Sequence, residues 1–445
     1  MSETTDLHRR LDELAELGLR DAAPALADQA WTRGRAWQRR RRQMTALVAG
    51  AAALVVLVVG VGAQQLASLD TAPAPATPGE AGPRLPDRLY DASGWLPGTE
   101  GEPPGVLSAV VDGYRDAVWG AGEPALLGIS SQTGAYRFLD LPGRARTEEP
   151  QTESVALSPD GRRLAYWLEG EPDGEPNRAV GSVVVGVAVQ DLVSGEVVRH
   201  RLPTEHGLST EDLSWADGTL WFSWFQLAGV RGFAGVDGTT ASWQVGVAEP
   251  RTWEGLPVQH LYATTSTGQT LVSGLGDRVQ LLTPEARRMV DLDTRSEGPA
   301  SLSPSGERLA VTLDPDGANV SDTGPRQVAV GEVGADGQVE LRAVSTAEAL
   351  EVVGWRDEDH VVVRSRRDGV PSVVYQSIDV DTGEVEPIVQ GDQVVAVAQQ
   401  AWSGDIFAAP EPPSPMDPRL QWSLLVGVPL AALLGLLVWR RRDRP

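Results

Sequence analysis

The side chains with the widest chemical repertoire are five histidines, His8 near the start of the chain and His200, His206, His260 and His360 further along. A helical zinc site needs two imidazoles four residues apart, as in HExxH, and no such spacing or motif occurs. His200 and His206 are close in sequence, but with no cysteine or clustered acids beside them they read as exposed polar surface. Carboxylates recur at Asp314-Pro315-Asp316-Gly317 with Asn319, at Asp291 with Asp293, at Asp357-Glu358-Asp359 and at Asp379 with Asp381. A calcium loop alternates oxygen ligands and closes on a bidentate glutamate; none of these stretches has the full set, so they read as solvated turns. The Gly-x-Ser-x-Gly elbow and the glycine loops that cradle phosphates or dinucleotides are also missing. No catalytic, metal-binding or cofactor-binding residue stands out, which points to a non-enzymatic protein; a propeller hydrolase with its residues assembled across blades is the weaker alternative.

One aromatic run is dense: Trp215, Trp221, Phe222, Trp224 and Phe225. Flat rings can stack on sugars. Alternation along a strand puts Trp221 and Phe225 on one face and Phe222 and Trp224 on the other, which suits a strand buried between two layers.

The elements that would position these groups are announced by a repeat. SVALSPDGRRLAYW at Ser154–Trp167 returns imperfectly as ASLSPSGERLAV at Ala300–Val311. In each copy an alternating apolar strand meets a four-residue turn, Ser158-Pro159-Asp160-Gly161 and Ser303-Pro304-Ser305-Gly306. Proline (Pro159, Pro304) presets the first turn dihedral, Asp160 or Ser305 bonds the local backbone, and Gly161 or Gly306 supplies a positive φ. Weaker echoes stand at Gly113, Gly218, Gly268, Glu358 and Gly404. The spacing averages roughly 48 residues, the size of one four-stranded propeller unit. The expected fold is therefore an all-β β-propeller, with seven blades favoured by the seven turns and six possible. Strands are expected at Ser182–Val189, Gln327–Gly331 and His360–Arg364, with tight turns into outer strands at Ser194 and Thr382. Residues near Leu85–Leu96 are expected to complete the last blade, leaving no free edge.

The SPDG-x-x-LAY pattern, Ser158 to Tyr166, resembles the TolB-like, WD-type propeller repeats found outside the bacterial cytoplasm. The resemblance implies a binding propeller over about residues 106–409. The Trp-Asp and Gly-His pairs of eukaryotic WD repeats are absent.

The chain has no cysteine, so disulfides and thiolate metal sites are excluded. All 38 basic residues are arginine, and the net charge is −23. Residues 1–43 hold nine arginines against seven acids and 440–445 four against one, so the body between them carries about −28. An acidic body of this size repels phosphates, which excludes nucleic acid as a partner.

Two uncharged runs of 20 residues, 44–63 and 420–439, match the length of a helix crossing a bilayer core of roughly 30 Å. Arg39, Arg40, Arg41 and Arg42 precede the first, and Arg440, Arg441 and Arg442 follow the second. Arginine clusters stay on the cytosolic side, so both termini are expected in the cytosol and the propeller outside, at the plasma membrane. Pro/Ala-rich stretches at 64–86 and 410–419 read as spacers bracketing a propeller at 87–409. In the cytosolic segment 1–43, Leu7, Leu11 and Leu14 recur at helical spacing, and Leu26 and Trp37 mark a second short helix. This stretch is a frayed tail or a docking segment for a cytosolic partner. The plan of a short Leu-rich, Arg-ended segment, one span and a propeller is similar to actinobacterial membrane proteins associated with extracytoplasmic-function sigma factors. That resemblance implies an anti-sigma-like role for Leu7–Leu17 and Leu26–Arg42, with a sigma factor as partner; the zinc-binding His-and-Cys motif of many anti-sigma factors is absent. The expected function is a membrane-anchored sensor or binding protein whose external ligand is a protein, a wall component or a small molecule. The alternative is a cell-envelope scaffold without signalling.

Overall fold

The computed structural model describes residues 82–146, 155–216, 218–247, 249–253, 261–264, 270–273, 276–283, 285–296, 298–313, 326–366, 373–391 and 394–415, with scattered positions between 417 and 435. All described strands lie in one compact unit, Ala72–Pro415. Among the described residues no helix is long and apolar enough to cross a membrane. The expected cytosolic segment and first span lie outside the described residues, as does most of the second span.

The strands run in chain order as β1 (Leu107–Arg115), β2 (Glu123–Ser130), β3 (Tyr136–Phe138), β4 (Val155–Leu157), β5 (Arg163–Glu169), β6 (Val184–Asp191), β7 (Val197–Arg201), β8 (Leu208–Ala216), β9 (Thr219–Leu227), β10 (Gly235–Trp243), β11 (Arg251–Thr252), β12 (Leu261–Thr264) and β13 (Leu271–Ser273). They continue as β14 (Gly276–Leu282), β15 (Arg287–Ser296), β16 (Ser301–Leu302), β17 (Arg308–Leu313), β18 (Arg326–Glu332), β19 (Gln338–Val339), β20 (Arg342–Ala349), β21 (Glu351–Trp355), β22 (His360–Arg366), β23 (Val373–Asp379), β24 (Val385–Gly391) and β25 (Val394–Val397). The three Val-rich segments expected to be strands are β6, β18 and β22.

These strands form consecutive antiparallel meanders of four: β25-β1-β2-β3, β4 to β7, β8 to β11, β12 to β15, β16-β17-β18-β20 and β21 to β24. The second and third share one cross-strand pair, Val184↔Leu208. The excursion β19 adds in parallel to β15 of the preceding meander. Innermost strands of consecutive meanders are neighbours, from β25 to β4, β8, β12, β16 and β21. This is a β-propeller of six blades among the described residues, so the seven-blade expectation is corrected. Gly113 is not a turn glycine but sits inside β1, where a Cβ would lie 2.4 Å from Leu127 Cδ1. Gly404 lies beyond the last strand. Glycines 161, 218 and 306 and the turn at Glu358 join first and second strands in four blades, and Gly268, outside the described residues, falls between β12 and β13. The first blade has no such turn, because its innermost strand β25 comes from the far end of the chain.

Closure pairs Ala109 with Val397 and Val110 with Ala396, antiparallel. The stretch near Leu85–Leu96 does not complete the last blade, which has four strands of its own. It forms an outer strap instead: Arg88 bridges Gln390 on β24 and Gly98 bridges Phe138 on β3. Leu85, Leu89 and Leu96 are buried with Tyr375 and Val389 of the last blade and Leu107 and Leu127 of the first.

The core lies between blades. Trp167 and Val187 of the second blade pack with Trp215, Phe222 and Trp224 of the third. Trp221 faces the other way, against Leu282 and the Trp253 ring 5.2 Å off. The aromatic run is thus a strand buried on both faces, as its alternation predicted.

Candidate binding face on the loop side

An antiparallel meander separates its connections. Turns joining first to second and third to fourth strands fall at one end, the turn side; second-to-third loops and blade-to-blade links fall at the other, the loop side.

The turn side is closed by short-range bonds. At the first repeat turn Gly161, with φ +70°, returns its N–H to Ser158 O at 2.8 Å. Ser158 Oγ donates to Asp160 Oδ1 at 2.6 Å and accepts from Arg163 N–H at 2.9 Å. Pro159 O accepts from Gln400 N–H at 3.0 Å, which fastens this turn to the segment after β25. At the second, Pro304 and Gly306 repeat the geometry, with φ +77° at Gly306. There Glu358 accepts from Ser305 N–H at 2.6 Å and from Ser305 Oγ at 2.8 Å, a link to the next blade. The chain also enters and leaves the propeller here. Phe407 N–H donates to Leu85 O and Asp87 N–H to Phe407 O, while Ala409 lies against the Gly134 turn.

The acidic turns are self-capping. Asp379 accepts from Thr382 N–H at 2.7 Å and Asp381 N–H at 3.0 Å, and the Thr382 amide holds its carboxyl below the usual range. Asp291 and Asp293 are not in a turn: both lie inside strand β15, where Asp291 pairs with Arg278 of β14 at 2.7 Å. Burial pushes Asp357 up, but hydrogen bonds from His360, 2.8 Å away, and from backbone amides bring it below the usual range. The stretch at 314–319 lies outside the described residues. Among the described residues no three His, Asp or Glu side chains gather to hold a metal. His200 and His206 are not brought together. His200 sits on β7 beside Glu249, where burial lowers its pKa against the pull of that carboxylate. His206 Nδ1 lies 2.7 Å from Glu175 O on the loop side. His8, His260, Leu7, Leu11, Leu14, Leu26, Trp37, Arg39–Arg42 and Arg440–Arg442 lie outside the described residues.

The loop side carries the feature that the sequence did not disclose. Over the first three blades its loops form one hydrogen-bonded ridge. Arg146, in the link to the second blade, pairs with Glu123 of β2 at 2.6 Å, and its N–H donates to Ser182 Oγ at 3.0 Å. Ser182 belongs to the 170–183 loop and donates to Glu169 at 3.1 Å. The same loop reaches the third blade through Asn177, 3 % exposed, whose Nδ2 donates to Gly229 O at 2.7 Å and Gly232 O at 2.9 Å. Asn177 N–H donates to His206 O, and Arg178 N–H to Val230 O, both at 2.9 Å. Arg201 and Thr204 N–H bind the Asp173 carboxyl at 3.0 and 3.2 Å and hold it below the usual range.

Apolar side chains stand out from this ridge. Trp119 is 89 % exposed in the first-blade loop and Phe233 71 % in the third-blade loop; Tyr114, Val118 and Val236 are exposed beside them. These five are the larger part of the eight big apolar side chains exposed among the described residues. A rigid backbone presenting exposed aromatics suits contact with another molecule.

No family model matches this chain, and no curated protein does. Solved structures similar to it include TolB from Acinetobacter baumannii, 15 % identical over 65 % of this chain and 66 % of TolB, TM-score 0.36. The β-propeller domain of the Trilobed protease from Pyrococcus furiosus is 14 % identical over 63 % and 80 %, TM-score 0.39. An oligogalacturonate lyase in complex with manganese is 14 % identical over 60 % and 71 %, TM-score 0.38. Similarity this slight carries no activity across, and the fold rests on the strand order itself.

Proposed function

We propose that this chain is a membrane-anchored, extracytoplasmic β-propeller that binds a partner without catalysis, and that its N-terminal segment acts on a cytosolic sigma factor in an anti-sigma-like manner. One observation carries the reading: the segments that enter and leave the propeller are hydrogen-bonded to each other at Leu85, Asp87 and Phe407, so both chain ends leave it from one place. Two chain ends that leave the propeller from one point suit a domain anchored at both ends. The uncharged runs at 44–63 and 420–439 and their arginine clusters supply the anchors.

Because the chain lacks cysteine, single cysteines report topology without background. In intact cells a membrane-impermeant maleimide should label Ser194→Cys and leave Thr5→Cys untouched until the cells are permeabilised. Labelling of Thr5→Cys alone would overturn the topology. For the cytosolic role, a sigma factor should copurify with the full-length chain and be lost on combining Leu7→Ala, Leu11→Ala and Leu14→Ala. Retention by that variant would reduce the protein to a scaffold.

A further inference from the structure

The loop-side ridge combines aromatic exposure with an unbalanced charge. Glu169, Glu171, Asp173, Glu175 and Glu205 are all exposed on it or at its base. The basic groups among them are already engaged: Arg178 lies 2.5 Å from Glu175, Arg201 3.0 Å from Asp173 and Arg146 2.6 Å from Glu123. Arg231 adds one exposed cation in the third-blade loop. Acids thus exceed bases on the ridge, within a body that is acidic throughout. Such a surface repels anionic ligands and draws in cationic ones. Exposed indole and phenyl faces add to that preference, since a guanidinium or ammonium group over an aromatic face is attracted by the ring quadrupole. The Asn177 clamp keeps the second- and third-blade loops in place before any partner arrives, which lowers the ordering cost of binding.

Taking as its basis the reading of this chain as a binding propeller, we propose that the loop side of blades one to three is the docking face for an arginine- or lysine-rich polypeptide segment, with Trp119 and Phe233 as its aromatic contacts and Glu171 and Glu205 among its charge partners. Recognition is by complementary charge spread over three loops, with the two rings selecting cationic side chains. The rate of encounter falls with added salt, while the ring contacts persist.

The test uses the full-length chain in detergent micelles and fluorescein-labelled deca-arginine, read by anisotropy, with deca-glutamate and chitotetraose as parallel probes. Deca-arginine should bind and deca-glutamate should not. The paired change Trp119→Ala with Phe233→Ala should weaken deca-arginine binding by about tenfold, with unchanged thermal unfolding because both side chains are exposed. Glu171→Arg with Glu205→Arg should weaken it further. The turn-side pair Glu196→Arg with Glu384→Arg, of equal charge change, should have little effect. Equal loss from the loop-side and turn-side reversals would mean diffuse attraction to an acidic protein and would overturn the proposal. Indifference to loss of the two rings would overturn it as well. Binding of chitotetraose that depends on Trp119 and Phe233, without binding of deca-arginine, would overturn the basic partner yet leave the binding-propeller reading standing.

Discussion

Trp355 donates its indole N–H to the carbonyl of Ser301, 3.1 Å away, across the junction of the last two blades. The same device recurs between Trp215 and Ala156 O at 3.0 Å. In both, the tryptophan ending one innermost strand caps the innermost strand of the preceding blade. Trp402 occupies the corresponding place after β25, packed on Gly354 where a Cβ would come within 2.9 Å of its ring. Its Nε1 is buried without a hydrogen-bond partner.

That difference is measurable. Trp355→Phe removes ring volume and the indole bond to the Ser301 carbonyl, whereas Trp402→Phe removes volume and an N–H that had no partner to lose. Denaturant unfolding should show Trp355→Phe costing about 1–2 kcal/mol more than Trp402→Phe. Equal costs would mean the indole N–H bond adds nothing beyond packing.

The two repeat turns predict unequal responses to one substitution. Gly161 and Gly306 both have a positive φ, +70° and +77°. Nothing lies within 4 Å of a Cβ built on Gly306, but one built on Gly161 would lie 2.0 Å from Leu107 O. Gly306→Ala should therefore cost about 1–2 kcal/mol, the penalty of the left-handed conformation. Gly161→Ala, which must also displace the start of β1, should cost at least about twice as much. Urea midpoints of the two variants decide the matter; matching shifts would show that β1 yields freely.

The repeat was readable because its turns need proline, glycine and a short polar side chain at fixed places. Blade number was not, because a glycine inside a strand looks the same in sequence as one in a turn. Gly113 faces Leu127 through a cross-strand packing that the local sequence does not encode. Closure through Ala109 and Val397 joins distant parts of the chain and leaves no local signature. Alternation did place Trp221 and Phe222 on opposite buried faces, since burial on both sides of a strand is a local pattern. Trp119 and Phe233 show the limit: their aromatic character is written in the sequence, whereas their exposure depends on which loops surround them.

Asn177 is the clamp of the loop side. Replacing it with alanine leaves Gly229 O and Gly232 O without their donor, and Asn177 Oδ1 no longer accepts from Ala179 N–H. The cost should be local, about 1–3 kcal/mol of loop order, with little change in global unfolding. Amide hydrogen exchange in 228–234 should accelerate at least about tenfold. Unchanged exchange there would show that the loops hold their shape without the clamp.

The junction of the first two blades predicts a pH dependence. Burial raises the Asp112 carboxyl above its usual range, with the Arg144 charge pulling the other way. Its Oδ1 is buried without a hydrogen-bond partner. Above the ordinary carboxylate range the unfolded chain has released this proton while the folded protein still holds it. The folded state therefore binds more protons, and stability falls as pH rises through that window. Asp112→Asn cannot titrate and removes this contribution. The other carboxylates titrate in both proteins, so the difference between two melting curves isolates Asp112. From about pH 4 to 7, the wild-type melting temperature should fall relative to that of Asp112→Asn, and the gap should level off once the folded carboxyl has ionised. A gap of opposite slope would mean that Arg144 outweighs burial and holds Asp112 as a stabilising anion.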